Sequence, residues 1–408
     1  MMRSNSCTLP ALCPFRTTAS NEAINYKLYD SVDELPIAFW DELIAEDNYV
    51  MRSNYLRAME ESKSEKIESR FVTIEKNDRL LGFLYLQIVT IHKTGLNENV
   101  TSGKNSKWRE EIARYLKKGL NKIKTKVLVV GSILVSGMYG IQLAKGVSRE
   151  EFIDAMHAVV TDLRKELNTG FVFVKDFEPI WNDSGKQLEK FGYQRVISQP
   201  SMEIEILWNT WDEYLADLLS KYRVRAKKII KTSKSLELRE FSLEDMITHE
   251  ETIFNLYKDL ISRSEFTMGT SGPKFFTKMK EKIGDDYLCY GYFLDGKLLG
   301  FLTGFLTSYM LESHFIGFDH SKIRSHSFYQ RILQDFLRLA IDHKVPRLTY
   351  GRTAMEIKST LGAEPKNMDS FMWANNKVVH ALLPSMFDRL RGDDWVQRRP
   401  LKSQANQD

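Results

Sequence analysis

Cysteine is scarce in this chain, and the three residues present (Cys7, Cys13 and Cys289) lack the spacing of a metal clamp. Two of them fall in a tail-like segment, which excludes a disulfide framework or a zinc site and suits a reducing cytoplasm. The eight histidines are scattered without ligand spacing, so no metal is expected. Long apolar runs are missing too. The longest candidate, Leu80 to Ile91, is interrupted by Gln87 and falls short of the roughly 18 residues that cross a bilayer. Nor is there a large excess of one charge: the net value is +4, so only local basic clusters speak to partners. Met1 to Asn21 is poor in acids but lacks the apolar core of a secretory signal, and residues 1–24 read as a disordered tail.

What is present describes a globular protein: 43% hydrophobic and 12% aromatic residues over a length of 408, enough for two domains with their own cores. Trp40, Leu43 and Ile44 suit a short helix, and Ser53 to Glu61 a second. Arg70 to Glu75 and Leu80 to Val89 read as a hairpin turning at Asn77-Asp78. Thr101 to Lys126 carries nine basic residues against Glu110 and Glu111, with Trp108, Ile112, Leu116, Leu120 and Ile123 at helical spacing. This insert is either a helix for an anionic surface or a packed helix with a solvated basic face. Lys126 to Val135 reads as a buried strand. A helix follows from Arg149 to Leu167, with Ser148 and Glu151 as a capping box. Gly170 to Lys175 is a second buried strand, and a helix near Ser184 to Lys190 ends at Gly192.

A second cycle starts at Thr210 and Glu213, which cap a long helix whose later part is basic: Lys221, Arg223, Arg225, Lys227, Lys228, Lys231 and Lys234. Helices over Glu244 to Ser262 and Pro273 to Ile283 precede a hairpin turning at Asp295-Gly296, then a strand from Leu311 to Phe318. A helix with Phe328, Ile332, Phe336 and Ala340 leads to a strand over Arg347 to Tyr350. Gly351 breaks that strand. Thr353 is placed to cap a short helix ending at Gly362, with Glu356 and Lys358 on its more exposed side. Leu80-Leu-Gly-Phe-Leu84 recurs as Leu298-Leu-Gly-Phe-Leu302, each just after a turn. The same letters in the same element order make duplication the organising fact of the chain.

The hairpin, buried strand, loop, helix, strand and short helix ending in Lys190-Phe-Gly-Tyr193 resemble the GNAT fold of acyl-CoA N-acyltransferases. Two such units, with Lys221-Tyr-Arg-Val-Arg225 and Gly351-Arg-Thr-Ala-Met-Glu-Ile-Lys358, resemble tandem GNAT proteins related to the Fem-type aminoacyl transferases. The resemblance implies an α/β (α+β) protein of two tandem GNAT-like units, each a mixed twisted sheet flanked by helices. The units are expected over 25–209, with the basic insert near 101–126, and over 210–399, followed by a tail at 400–408. It implies N-acyl transfer from acyl-CoA, acetyl or longer, to a small-molecule or lipid-like amine, with aminoacyl-tRNA as the less favoured carrier. The glycine-rich pyrophosphate loop of simple acetyltransferases is reduced to Gly137 and Gly140 in the first half, and Phe318 to Phe328 contains no glycine.

An amine must lose a proton to attack an acyl carbonyl, and the resulting oxyanion needs a donor. In GNAT enzymes that donor is a backbone N–H where two central strands splay. Candidate side chains are His314 and Asp319 as proton acceptors and Tyr329 as a donor to the leaving group, although His314 and Tyr329 also suit plain packing. Arg352, Thr353, Glu356 and Lys358 gather at a strand's carboxyl end, where α/β sheets bind ligands. Arg352 offers a carboxylate- or phosphate-binding fork. Tyr139 is placed beside a bound cofactor, and the helix around Arg223 against CoA phosphates, tRNA or anionic lipid. The competing classes are a binding protein with a decayed site and a peripheral protein at the inner membrane face. The expected location is cytoplasmic.

Overall fold

The computed structural model describes residues 15–19, 21–64, 66–91, 125–197, 199–263, 269–322, 326–390 and 395–404. Most of the basic insert read at 101–126 lies outside the described residues. The first unit contains strands β1 (Arg16–Thr18), β2 (Asn21–Tyr29), β3 (Ile67–Lys76), β4 (Arg79–Ile91), β5 (Thr125–Val130), β6 (Ile141–Leu143), β7 (Phe171–Phe177) and β8 (Gln194–Ile197). Its helices are α1 (Ile37–Leu43), α2 (Ser53–Glu61), α3 (Arg149–Glu166) and α4 (Asn182–Lys190). β9 (Ser201–Glu205) leads into α5 (Trp211–Asp217), α6 (Ser220–Thr232), β10 (Glu237–Glu240), α7 (Leu243–Thr248), α8 (Glu250–Ser262) and α9 (Phe275–Ile283). The second unit continues with β11 (Tyr287–Leu294), β12 (Lys297–Leu306), β13 (Leu311–Phe318), α10 (Phe328–Asp342), β14 (Arg347–Thr349), α11 (Met355–Ser359) and β15 (Glu364–Lys366). The chain then forms β16 (Asp369–Ala374) and α12 (Lys377–Leu390).

Both hairpins turn where expected. Asn77 and Asp78 take φ of 50° and 60°, and Asp295 and Gly296 take 50° and 74°, the left-handed pair that a two-residue turn between right-twisted strands requires. The repeated pentapeptide is repeated in space down to its irregularity. Ile74 faces Gly82 and Glu75 faces Leu80, leaving Leu81 as a bulge. Tyr292 faces Gly300 and Phe293 faces Leu298, leaving Leu299 in the same role. In each copy the glycine is required by contact: a Cβ on Gly82 would meet Gln142 O at 2.2 Å, and one on Gly300 the Phe328 ring at 2.7 Å.

The two sheets have the same order, and each borrows a strand. One runs β1-β2-β3-β4-β5-β7-β16-β8, with β6 also on β4; the other runs β10-β11-β12-β13-β14-β9-β15. β16 inserts between β7 and β8, and β9 between β14 and β15. The halves therefore exchange equivalent strands, as in a domain-swapped pair joined into one chain. A division at 209/210 leaves β9 and β16 each in the sheet of the other half. A hydrophobic cluster also spans the halves, uniting Trp40, Tyr55 and Phe71 with Tyr257, Phe275 and Phe305.

Three expectations are corrected. The ordered fold reaches into the expected tails: Arg16 faces Tyr26 across β1 and β2, Leu401 bridges Leu218, and the Gln404 amide donates to Gly362 O at 3.0 Å. The long helix expected after Thr210 is broken between α5 and α6, because Leu218 and Leu219 are extended and pair with Leu401 and Pro400. The strand read over Lys126 to Val135 stops at Val130. Beyond it the chain leaves the sheet for an excursion over 131–140 and rejoins β4 as β6. Leu134 and Val135 are apolar because they enter the core shared by the units, not because they extend a strand.

Candidate functional site

Where the strand next to the hairpin is interrupted, the two units diverge. In the first unit Leu84 faces Ile141 and Leu86 faces Val130, so the excursion 131–140 lies opposite Tyr85 alone. Tyr85 closes it by donating to Gly140 O (3.0 Å) and accepting from Gly131 N (2.9 Å). In the second unit Leu302 faces Ile316 and Gly304 faces Ser313, so only His314 and Phe315 lie opposite Thr303. The Thr303 hydroxyl donates to Phe315 O and accepts from Phe315 N, both at 3.1 Å. The same register position thus carries a ten-residue excursion in one copy and a two-residue bulge in the other.

Beside this interruption the two central parallel strands meet. In the first unit the cross-strand row is Val129, Phe173 and Met372, all buried in an apolar cluster. In the second unit the equivalent row is Glu312, Thr349 and Glu203. β13 and β14 pair only at Leu311–Leu348 and Glu312–Thr349, so Glu312 stands where the strands part. Duplication makes this contrast informative: one copy fills the position with carbon, the other with carboxylates.

The first unit's excursion reaches this point. Tyr139 donates its hydroxyl to Glu312 Oε2 at 2.6 Å, and the Tyr49 hydroxyl lies close without an aligned bond. Glu312 is 3% exposed. Burial pushes its carboxyl up to about 7, against the downward pull of the two tyrosine hydroxyls and Lys175. Burial, with Glu312 second, likewise drives the Tyr139 and Tyr49 hydroxyls well above the usual phenol range. Glu203, raised by burial, completes a second carboxylate near Arg347 (3.6 Å) and Lys366 (3.8 Å). Ser201 and Thr349 hydroxyls lie 3.0 Å apart on the same strands.

A buried ionic network adjoins the site. Asp176, fully buried in β7, contacts Lys175 Nζ at 2.7 Å, accepts from Gly137 N at 2.9 Å, and pairs with the Arg352 guanidinium. Burial alone would raise its carboxyl; Lys175 and Arg352 overcome that and hold it well below the usual range. Lys175 also donates to Val135 O at 2.6 Å, which fastens the excursion.

The structure disperses most of the residues singled out from sequence. Arg352 is near the site, but Asp176 and Gln199 O (2.9 Å) already fill its fork. Lys358, expected on an exposed side, is 3% exposed and donates to Tyr350, Gly351 and Arg352 carbonyls at 2.8, 3.1 and 2.6 Å. Burial pushes its ammonium down to about 7, while three accepting carbonyls hold its protons in place. Thr353 is exposed with φ of 67° and caps nothing; α11 starts after Ala354 without a side-chain cap. Glu356 pairs with Arg398 (3.0 Å to Nε). Arg223 donates to Leu218 O at 3.2 Å, closing the end of α5. His314 sits in an aromatic box, its ring 4.2 Å from Phe315 and 4.7 Å from Phe305, and burial pushes it down to about 3. Asp319 accepts from Ser321 N at 2.9 Å in a turn. Tyr329 packs beside Phe318, and burial pushes its hydroxyl up. Tyr139 alone of the candidates touches the Glu312 carboxylate.

Glu312 escaped the sequence reading because a glutamate in a strand looks like a solvent-facing residue. The repeated pentapeptide does not reveal it either: Val129 and Glu312 stand at different distances along the chain from it, and only their strand partners, Gln87 and Phe305, set them at one register.

No model of a known protein family and no curated protein matches this sequence. Solved structures do match. A tandem GNAT protein from the clavulanic acid biosynthesis pathway aligns with a TM-score of 0.51 at 11% identity, covering 86% of this chain and 99% of that one. This chain has the tandem GNAT fold. FemX aligns at a TM-score of 0.48 and 11% identity over 82% of this chain and 94% of its own. A GCN5-related N-acetyltransferase from Anabaena variabilis aligns at 0.42 and 12% over 88% and 75%. In tandem GNAT terms, the first unit supplies the excursion and the second the parted strands. Among the described residues, no helix is long and apolar enough to cross a membrane.

Proposed function

We propose that this tandem GNAT protein is an N-acyltransferase, moving an acyl group from an activated carrier such as acyl-CoA to an amine, with the chemistry in the second unit. The observation that carries this reading is the buried Glu312 carboxylate, near neutral in pKa, standing where β13 and β14 part. A base poised near pH 7 takes a proton effectively from the acceptor's ammonium, which frees the nitrogen lone pair for attack, or from the amine as it attacks. The nitrogen then adds to the acyl carbonyl, the tetrahedral oxyanion forms, and its collapse expels the carrier thiolate, which is reprotonated. The apolar row of Val129, Phe173 and Met372 supports a structural role for the first unit's equivalent position.

The test is thiol release from a panel of acyl-CoAs with amine acceptors, comparing the wild type with Glu312→Gln. Turnover should fall at least about a hundredfold in the variant, the usual scale for a general base. Equal turnover removes Glu312 from the chemistry.

A second reading concerns location. Lys221, Arg225, Lys227, Lys228, Lys231 and Lys234 are exposed on α6 and beyond it, while Ala226 and Ile229 face the core. That solvated basic face supports docking on an anionic membrane with a lipid-like amine as acceptor. Flotation with anionic vesicles, reversed by salt, would bear it out; no flotation at low salt would dismiss it.

A further inference from the structure

Away from Glu312, the two units line an open cleft of about 750 Å³ between the end of α2, α8 and the segment before α9. The volume is that of a small-molecule site. Among the described residues its lining is basic: Lys63, Lys66, Lys258, Lys274 and Lys278 face it against the carboxylate of Glu61. Glu61 is already committed to Lys278 (3.0 Å) and Lys282 (3.0 Å). Among the described residues, the other four lysines make no ion pair. Lys63, Lys258 and Lys274 are exposed and Lys66 is half-buried, and together they give this concavity a positive field that favours an anion.

The floor is built from both units. Ser64 donates to Thr270 O at 2.9 Å, and Gly272 lies so close to the first unit that a Cβ there would be 2.0 Å from Ser62 O. Ser271, 5% exposed, lines the cavity. Its N–H donates to the Tyr257 hydroxyl at 3.2 Å, and its own hydroxyl, though near Tyr257, has no aligned partner. A phosphate offers several acceptor oxygens and the charge the lysines call for.

We propose that this cavity binds a phosphate-bearing small molecule, seated between the units with Lys66 on one wall and Lys258 and Lys274 on the other. Because both walls contribute, occupancy ties the units together independently of the chemistry at Glu312.

The experiment is calorimetric titration of the full chain with inorganic pyrophosphate. The variants are Lys66→Gln/Lys258→Gln/Lys274→Gln, Ser271→Ala, and a control, Lys227→Gln/Lys231→Gln on the separate α6 face. Saturable binding is expected in the wild type, weakened at least about tenfold in the triple variant. No loss is expected in Ser271→Ala, whose hydroxyl is inaccessible beside Tyr257, in the control or in Glu312→Gln. Thermal unfolding without pyrophosphate should be the same for the triple variant and the wild type, so that lost binding is not lost folding. A parallel titration with CoA separates the sources: CoA binding weakened by the same lysines identifies the carrier's own phosphates, and CoA binding that is insensitive while pyrophosphate binding is lost identifies a different phosphorylated ligand. Absence of saturable pyrophosphate binding, equal affinity in the triple variant, or equal weakening in the α6 control would overturn the proposal.

Discussion

Asp176 and Arg352 leave the carboxyl ends of equivalent strands, one in each unit, and pair with each other across the junction. Asp176 is fully buried, so removing its partner leaves the carboxylate with Lys175 as the one remaining cation in contact among the described residues. Arg352→Ala should lower stability by about 2–4 kcal/mol, read as a shift in denaturant midpoint. The sign of the pH dependence follows from the lowered Asp176 carboxyl. Its contribution is present above the ordinary aspartate range and is lost as pH falls into acid. The variant should therefore approach the wild type below about pH 3. A constant difference across pH would place the cost elsewhere.

Lys358 is a structural cation. Replacing it with Met leaves three carbonyls, of Tyr350, Gly351 and Arg352, without their donor. A loss of about 2–4 kcal/mol is expected, visible as a lowered melting temperature even if turnover per folded molecule is unchanged.

The excursion over 131–140 should be sensitive at its neck. A Cβ on Gly140 would lie 2.3 Å from Gly131 N, and backbone cannot yield as a side-chain tip can. Gly140→Ala should detach Tyr139 from Glu312, mimicking Tyr139→Phe in pH profile while costing more stability. Tyr139→Phe removes a donor that favours the charged carboxylate, so the Glu312 pKa should move up and the rising limb of the rate profile with it. A profile unchanged by Tyr139→Phe would uncouple the units at this contact.

The strand exchange predicts that the halves are not independent. A fragment of residues 1–209 lacks β16, and 210–408 lacks β9. Each alone should fail to unfold cooperatively, and co-expression should yield a one-to-one complex. A cooperatively folded 1–209 monomer would contradict the exchange.

Much of the fold was legible in the sequence because it rests on local signals. Turn residues with left-handed backbone, the repeated Leu-Leu-Gly-Phe-Leu, and the strand Leu311 to Phe318 all appear where their residue types require. The exchange was not legible. Ser201–Glu205 and Asp369–Ala374 have the same local preference whichever sheet receives them, so only long-range pairing decides. The excursion was misread for a related reason: Leu134 and Val135 carry the apolar signal of a strand yet satisfy it in a core between units. At the site, Arg352 and Lys358 were conspicuous as charges and are bound to protein groups. Glu312, less conspicuous, owes its character to burial, which no residue reveals alone.

The most direct measurement is the pH dependence of kcat/KM for acyl transfer, from about pH 5 to 9, alongside urea unfolding over the same range. A carboxyl raised to about 7 in the fold, against about 4.3 in the unfolded chain, costs stability progressively as pH rises between those values. The cost remains in full above them. Activity in the wild type should rise with a midpoint near 7. Glu312→Gln should abolish that limb and, by removing the buried charge, gain stability on the order of 3–4 kcal/mol at pH 8 and only about 1 kcal/mol at pH 5. Retained turnover with an unshifted limb in Glu312→Gln would contradict the account.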